Sequence, residues 1–216
     1  MTISLQQVIP HPIREKIISR HSDLWNRNVS IESSDFLSVV APSGTGKTTL
    51  IHMLWHLRDD YSGQISYDGR AVCGLTDEEL AVHRQTKASI VFQDLRLFAH
   101  LTAFENIELK RALLPKPYYE MQRIEEMAGT LGVLPVLKQR AGTCSYGEQQ
   151  RIAIIRALMQ PFDWLIMDEP FSHLDAANTR AAAALIEAEC RSRGAGLLIT
   201  ELDDNQYFPY TQKLRL

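Results

Sequence analysis

The sequence predicts an α/β fold: a core built on a mostly parallel sheet, with an α-helical lobe inserted into it. Three observations carry this. Apolar runs of strand length alternate with segments of helical periodicity, the order that builds parallel sheets. A glycine-rich loop, Ala41-Pro42-Ser43-Gly44-Thr45-Gly46-Lys47-Thr48, joins one such run to a helix. A second apolar run, 164–167, ends in the adjacent carboxylates Asp168 and Glu169.

The elements follow in order. Residues 3–8 and 29–31 alternate apolar and polar positions and read as short strands. Residues 36–40 form a continuous apolar strand that the glycine-rich loop ends, and a helix runs from 47 to about 57. Residues 62–69 read as a strand with turn residues at each end. Thr76, with Glu79 three residues on, has the pattern of a capping box opening a helix. Residues 88–92 form another buried strand. From 95 to about 137 the pattern is mostly helical, broken at Pro115 and Pro117, with helical spacing over 118–131. A helix follows over 147–159, then strands at 164–167, 196–200 and 213–216. The core is thus expected over 1–92 and 158–216, and the helical lobe over 93–157.

Composition narrows the setting. The 216 residues suffice for one domain and the lobe. Apolar residues make up 45% and charged residues 23%, as in chains that bury a core. A net charge of -3, from 23 basic and 26 acidic residues, argues against bulk electrostatic binding of nucleic acid. Cys73, Cys144 and Cys190 match neither zinc spacing nor a disulfide framework, so a reducing cytoplasm is expected. The longest apolar blocks, 36–42 and 164–167, fall far short of the roughly 18 residues of a membrane span. Residues 1–16 lack the charged-then-apolar order of a signal peptide. A membrane role therefore requires a partner that supplies the span.

The two loops carry the chemistry. Gly44 and Gly46 let the backbone curl so that several N–H groups face one anion, and the following helix adds its positive end. Pro42, Ser43, Gly44, Thr45, Gly46, Lys47, Thr48 and Thr49 are the candidate ATP-binding set. Lys47 reaches β- and γ-phosphates, and the Thr48 hydroxyl is a ligand for Mg²⁺. The strict pattern begins with Gly where this chain has Ala41, which is also small. Asp168 would hold Mg²⁺ through water, and Glu169 would orient or deprotonate the attacking water.

Cys144-Ser145-Tyr146-Gly147-Glu148-Gln149-Gln150-Arg151, followed by residues 152–158, resembles the signature motif of the ATP-binding cassette (ABC) ATPases. Gln93, in Val91-Phe92-Gln93-Asp94, is similar to that family's Q-loop glutamine, and Ser172-His173-Leu174-Asp175 to its D-loop. The resemblance spans essentially the whole chain and implies an ATPase. It implies that two copies, or this chain and a related cassette, meet head to tail around two ATPs. Lys47, Gln93 and Glu169 would act in catalysis, Gln93 would join Thr48 and Asp168 on Mg²⁺, and Ser145, Gly147 and Glu148 would reach the other subunit's ATP. Residues 74–80 and 92–107 look like the branch of lipoprotein-release, macrolide-export and cell-division ATPases. The implied partner is a transmembrane permease-type subunit whose short helix sits against residues 95–104. The implied place is the cytoplasmic face of the inner (plasma) membrane. The alternative is a nucleotide-dependent switch of an envelope or division complex, without transport. A soluble DNA-repair or translation protein fits less well, because the chain has no coiled-coil insertion, second cassette or basic tail.

Further positions depart from the family. Tyr146 stands where the signature has its first glycine, adding bulk and a backbone cost if that position needs φ > 0. Cys144 replaces the signature leucine as a plain substitution. Glu201 stands where the family places a switch histidine, and the last histidine in the chain is His173. Two like charges about 4 Å apart repel by roughly 4 kcal/mol at an effective dielectric of 20. Glu201 must therefore point away from the γ-phosphate, pair with a cation, or be protonated. Slow hydrolysis is the expectation. Only His11 lies where the family has an aromatic residue against adenine. His52 and His56, without a metal motif around them, are expected to be packing or surface residues, and Trp25 and Trp55 to lie in or near the core.

Overall fold

The structure is a computed structural model that describes residues 1–18 and 21–216. Its strands form two sheets. The first is antiparallel, with order β2-β1-β4-β5: β1 (Ile3–Pro10), β2 (Asn28–Ile31), β4 (Tyr61–Tyr67) and β5 (Arg70–Ala71). The second is parallel throughout, with order β6-β7-β8-β3-β9. Its strands are β3 (Phe36–Val40), β6 (Ala88–Val91), β7 (Trp164–Asp168), β8 (Gly196–Glu201) and β9 (Gln212–Arg215). The mostly parallel sheet expected from the sequence is thus the second of two. The alternating pattern that marks β1 and β2 is that of a sheet with one face in the core, here paired antiparallel.

The parallel strands read as continuous apolar runs because both faces are buried. In β7, Trp164 and Ile166 pack into one core while Leu165 and Met167 pack into the other. In β8, Leu198 faces the first and Leu197 and Ile199 the second. The first core lies between the two sheets and holds α2 (Lys47–Leu54). The second holds α4 (Ala103–Arg111), α5 (Gln122–Thr130), α6 (Tyr146–Leu158) and α7 (Ala176–Arg193). Short α1 (Arg14–Ile18) follows β1, and α3 (Asp77–Thr86) precedes β6. The capping box Thr76–Glu79 opens α3 as the sequence predicts.

Three helix boundaries differ from the sequence reading. Helix α2 stops at Leu54 because His56, at φ 50°, closes a left-handed turn in which His56 N–H donates to Met53 O and Leu57 N–H to His52 O. Helix α4 has its own capping box, Thr102–Glu105, inside a stretch that periodicity leaves undivided. Helix α5 starts at Gln122 rather than 118; Tyr118 and Tyr119 instead lay their rings against Arg193 of α7, Tyr118 staying largely exposed. There the carboxylate of Glu189, 3% exposed, accepts hydrogen bonds from Tyr119 Oη (2.7 Å), Arg123 (2.7 Å) and Arg193 (2.6 Å). Burial pushes the Glu189 carboxyl up, but the donors from Tyr119, Arg123 and Arg193 outweigh it and leave the pKa lowered. Arg193 also lies over the rings of Tyr118, Tyr119 and Phe162. Trp25 and Trp55 are buried in the first core.

Glu189→Ala leaves the buried Arg193 guanidinium without its carboxylate and should lower unfolding free energy by about 3–5 kcal/mol. Because the Glu189 pKa is depressed on folding, its contribution is present above the unfolded carboxyl pKa and is lost as pH falls through the folded value. Urea unfolding of both proteins at neutral and acid pH measures this; the gap should narrow in acid.

Candidate functional site

The sheet brings the two sequence-flagged loops to one edge. Strand β3 ends at Val40, and Ala41 N–H donates to Glu201 O at 3.1 Å, pinning the root of the loop to β8. Gly44 (φ 78°) and Gly46 (φ 107°) curl the chain into α2. At φ 107° Gly46 takes a conformation that side chains strongly disfavour, and a Cβ there would also displace Ile13 Cδ1, 2.6 Å away. Pro42 O accepts from Thr45 Oγ1 at 2.7 Å, Ser43 is exposed at the loop tip, and Thr49 sits in the first turn of α2. The side chain of Lys47, 4% exposed, folds back under the loop. Its ammonium donates to Ala41 O (2.6 Å) and Pro42 O (3.1 Å) and pairs with Glu169 Oε1 at 3.2 Å.

Asp168 is 1% exposed at the end of β7. Its Oδ2 accepts from Thr48 Oγ1 at 2.8 Å and its Oδ1 from Thr200 Oγ1 at 2.5 Å. Gln93, just after β6, reaches the same point: Thr48 Oγ1 donates to Gln93 Oε1 at 3.4 Å, and Gln93 Nε2 to Glu169 Oε2 at 3.5 Å. The Thr48 hydroxyl, Gln93 amide oxygen and Asp168 carboxylate are neutral and anionic oxygen donors, the set a hard cation such as Mg²⁺ takes.

Glu169 has φ 48°, a left-handed conformation rare for a side-chain-bearing residue. Its N–H donates to Thr200 O (3.0 Å), and Gln150 Nε2 donates to its carbonyl (3.4 Å). Glu201, at the end of β8, has a buried Oε1 with no hydrogen-bond partner and makes no ion pair among the described residues. Burial, then the charges of Glu169 and Asp204, push its carboxyl up to about 7. Of the three alternatives for Glu201, pairing with a cation finds no partner among the described residues. The pocket beside it is acidic, with Glu169, Ser172, Glu201, Asp203 and Asp204 on its walls.

Ser145, Gly147 and Glu148 stand apart from this cluster at the start of α6. Ser145 is the N-cap, accepting from Glu148 N–H (3.3 Å), while Glu148 Oε2 accepts from Ser145 N–H (2.7 Å). None of the three makes a hydrogen bond to the cluster among the described residues. Tyr146 is the first residue of the helix with no positive φ, so the backbone cost expected there does not arise. His11 is exposed, with its N–H on Asp60 O. His52 packs edge-on against Phe92. Cys144 is buried, and burial raises its thiol pKa.

Sequence reasoning missed Thr200, Gln150 and the left-handed Glu169. The signal for Thr200 was its place at the end of an apolar strand, one residue before the switch position. Gln150 carried none beyond its place in the signature run.

A sequence model described as ABC transporter matches residues 24–172. The chain is 34% identical over 193 residues to the glucose import ATP-binding protein GlcV of Saccharolobus solfataricus, covering 88% of this chain and 54% of that protein. It is 35% identical over 167 residues to the lipoprotein-releasing system ATP-binding protein LolD of Aquifex aeolicus, covering 77% of this chain and 75% of that one. The lipoprotein-release branch expected from residues 74–80 and 92–107 is thus among its relatives. The dimeric, post-hydrolysis structure of the ATP-binding cassette MJ0796 bound to ADP and Pi superposes with a TM-score of 0.79 at 25% identity. That match covers 93% of this chain and 88% of the other. Fold, motif order and relatives agree: the chain belongs to the ABC transporter family, as an ATP-binding cassette.

Proposed function

We propose that this chain binds ATP with Mg²⁺ between two cassettes, hydrolyses it slowly, and moves a transmembrane partner from the cytoplasmic face of the inner membrane. The observation that carries this is the convergence of Lys47, Thr48, Gln93, Asp168 and Glu169 on one sheet edge, with the Glu201 carboxyl beside Glu169 where the family has a histidine. The domain division, core 1–92 and 158–216 with the lobe 93–157, is part of the same reading. It is supported by α4, α5 and α6 lying between β6 and β7 in the chain.

The loop 42–49 holds the triphosphate through backbone N–H groups and the start of α2. Thr48, Gln93 and Asp168 would hold a Mg²⁺ ion, which would supply charge neutralisation at the phosphates. Lys47 transfers its ammonium from Glu169 to the phosphate oxygens. The Glu169 carboxylate, released from that ion pair, accepts a proton from the attacking water as the water oxygen bonds to the γ-phosphorus. The bond to the β-phosphate oxygen breaks and ADP leaves with that electron pair. Ser145, Gly147 and Glu148 complete the site of the other cassette from the start of α6. The partner's helix lies against residues 95–104, where Phe98 is 51% exposed. No helix among the described residues is long and apolar enough to cross a membrane, which leaves the span to that partner.

Glu169→Gln should bind ATP with unchanged affinity and lower turnover by about 100-fold or more, measured by phosphate release. The unaltered chain should itself turn over below about 1 per second, the low end of transporter rates. Glu201 is neutral below about pH 7 and anionic above, so ATP affinity should fall as pH rises from 6 to 8, by roughly tenfold. Glu201→Gln should remove that difference, read as the ratio of the two proteins' dissociation constants at each pH. Extraction in detergent after co-expression with the neighbouring genes should bring down a protein with transmembrane helices; recovery of the cassette alone argues against the membrane role.

A further inference from the structure

Helix α6 grips the Gln93 loop at three carbonyls. Tyr146 Oη donates to Gln93 O at 3.1 Å, and the Arg156 guanidinium donates to Leu95 O (2.5 Å) and Arg96 O (2.7 Å). The loop needs such holding, because Leu95 (φ 57°) and Arg96 (φ 47°) are consecutive left-handed residues with side chains. The Tyr146 ring is itself oriented, packed at 4.3 Å against the His173 ring. His173 is held in turn, its N–H on Gln150 Oε1 and its Nδ1 against Ser172 Oγ. The start of α6 approaches this loop closely: a Cβ on Gly147 would lie 3.2 Å from His173 O. The Gln93 side chain spans the gap between Thr48 and Glu169 with two long bonds, 3.4 and 3.5 Å, so small displacements of its backbone break either one.

We propose that Tyr146 is a positioning residue for ATP hydrolysis: its hydroxyl anchors the Gln93 backbone carbonyl so that the Gln93 amide stays between Thr48 and Glu169. This rests on the reading of Gln93 and Glu169 given above. The bond lies within one chain and joins the first turn of the signature helix to the Q-loop. The tyrosine therefore links two motifs that glycine leaves unconnected. It acts on turnover rather than on nucleotide capture, because the loop 42–49 and Lys47 hold the phosphates without it.

Single-turnover release of γ-labelled phosphate by the full chain tests the assignment, with Tyr146→Phe removing only the hydroxyl. Loss of one neutral hydrogen bond at the site should slow release by about 3- to 10-fold. ATP affinity should stay within about twofold, and the Mg²⁺ concentration for half-maximal rate should rise. Gln93→Ala should slow release alone, and adding Tyr146→Phe to it should cost nothing further, because both act through one side chain. Additive losses, an unchanged rate and Mg²⁺ requirement for Tyr146→Phe, or a loss confined to ATP affinity would each overturn the proposal. An unaffected Gln93→Ala would instead sink the role of Gln93 itself. Matching circular dichroism spectra and unfolding midpoints establish that the variants are folded.

Discussion

A carboxylate taken out of water must be met by donors, and at Asp168 two threonine hydroxyls from two different elements meet it. Thr48 comes from the first turn of α2 and Thr200 from the end of β8. The three-way junction of β7, β8 and α2 is thereby tied at one buried atom pair. The phosphate loop leaves β3, which lies beside β8, so it is carried to the same edge. Parallel strand order makes this possible, because every strand presents its C-terminal end on one side.

The charges around that junction are unbalanced in an informative way. Lys47 is the cation among Asp168, Glu169 and Glu201, and it sits on Glu169 at 3.2 Å. Glu201 is left with burial and like charge, which favour its neutral form up to about pH 7. Raising a carboxyl pKa on folding costs stability once pH rises through the folded value, so the contribution is full below about 4.5 and lost through about 7.

Helix α6 reaches the site directly through its side chains. Arg156 and Tyr146 hold the loop after β6, and Gln150 reaches the Glu169 carbonyl and His173. One helix thus touches the loop after β6, the Glu169 backbone and the loop at His173.

Much of the fold was legible because its signals are local. Strand-length apolar runs, Gly44 and Gly46, and the Thr76–Glu79 capping box depend on neighbours in the chain, and the strands of the parallel sheet lie within a residue or two of their sequence positions. The site residues Lys47, Thr48, Gln93, Asp168 and Glu169 were legible for the same reason, as short motifs at strand ends. What the sequence alone determined is therefore the fold class, the family and the candidate residues of the site. Only the tertiary structure decided which groups meet. The separate antiparallel sheet, the Thr200 donor on Asp168 and the Tyr146 bond to Gln93 all join residues tens of positions apart, and the burial of the unpartnered Glu201 oxygen likewise depends on distant parts of the chain. Such contacts depend on strand order and on burial, and no local pattern records either.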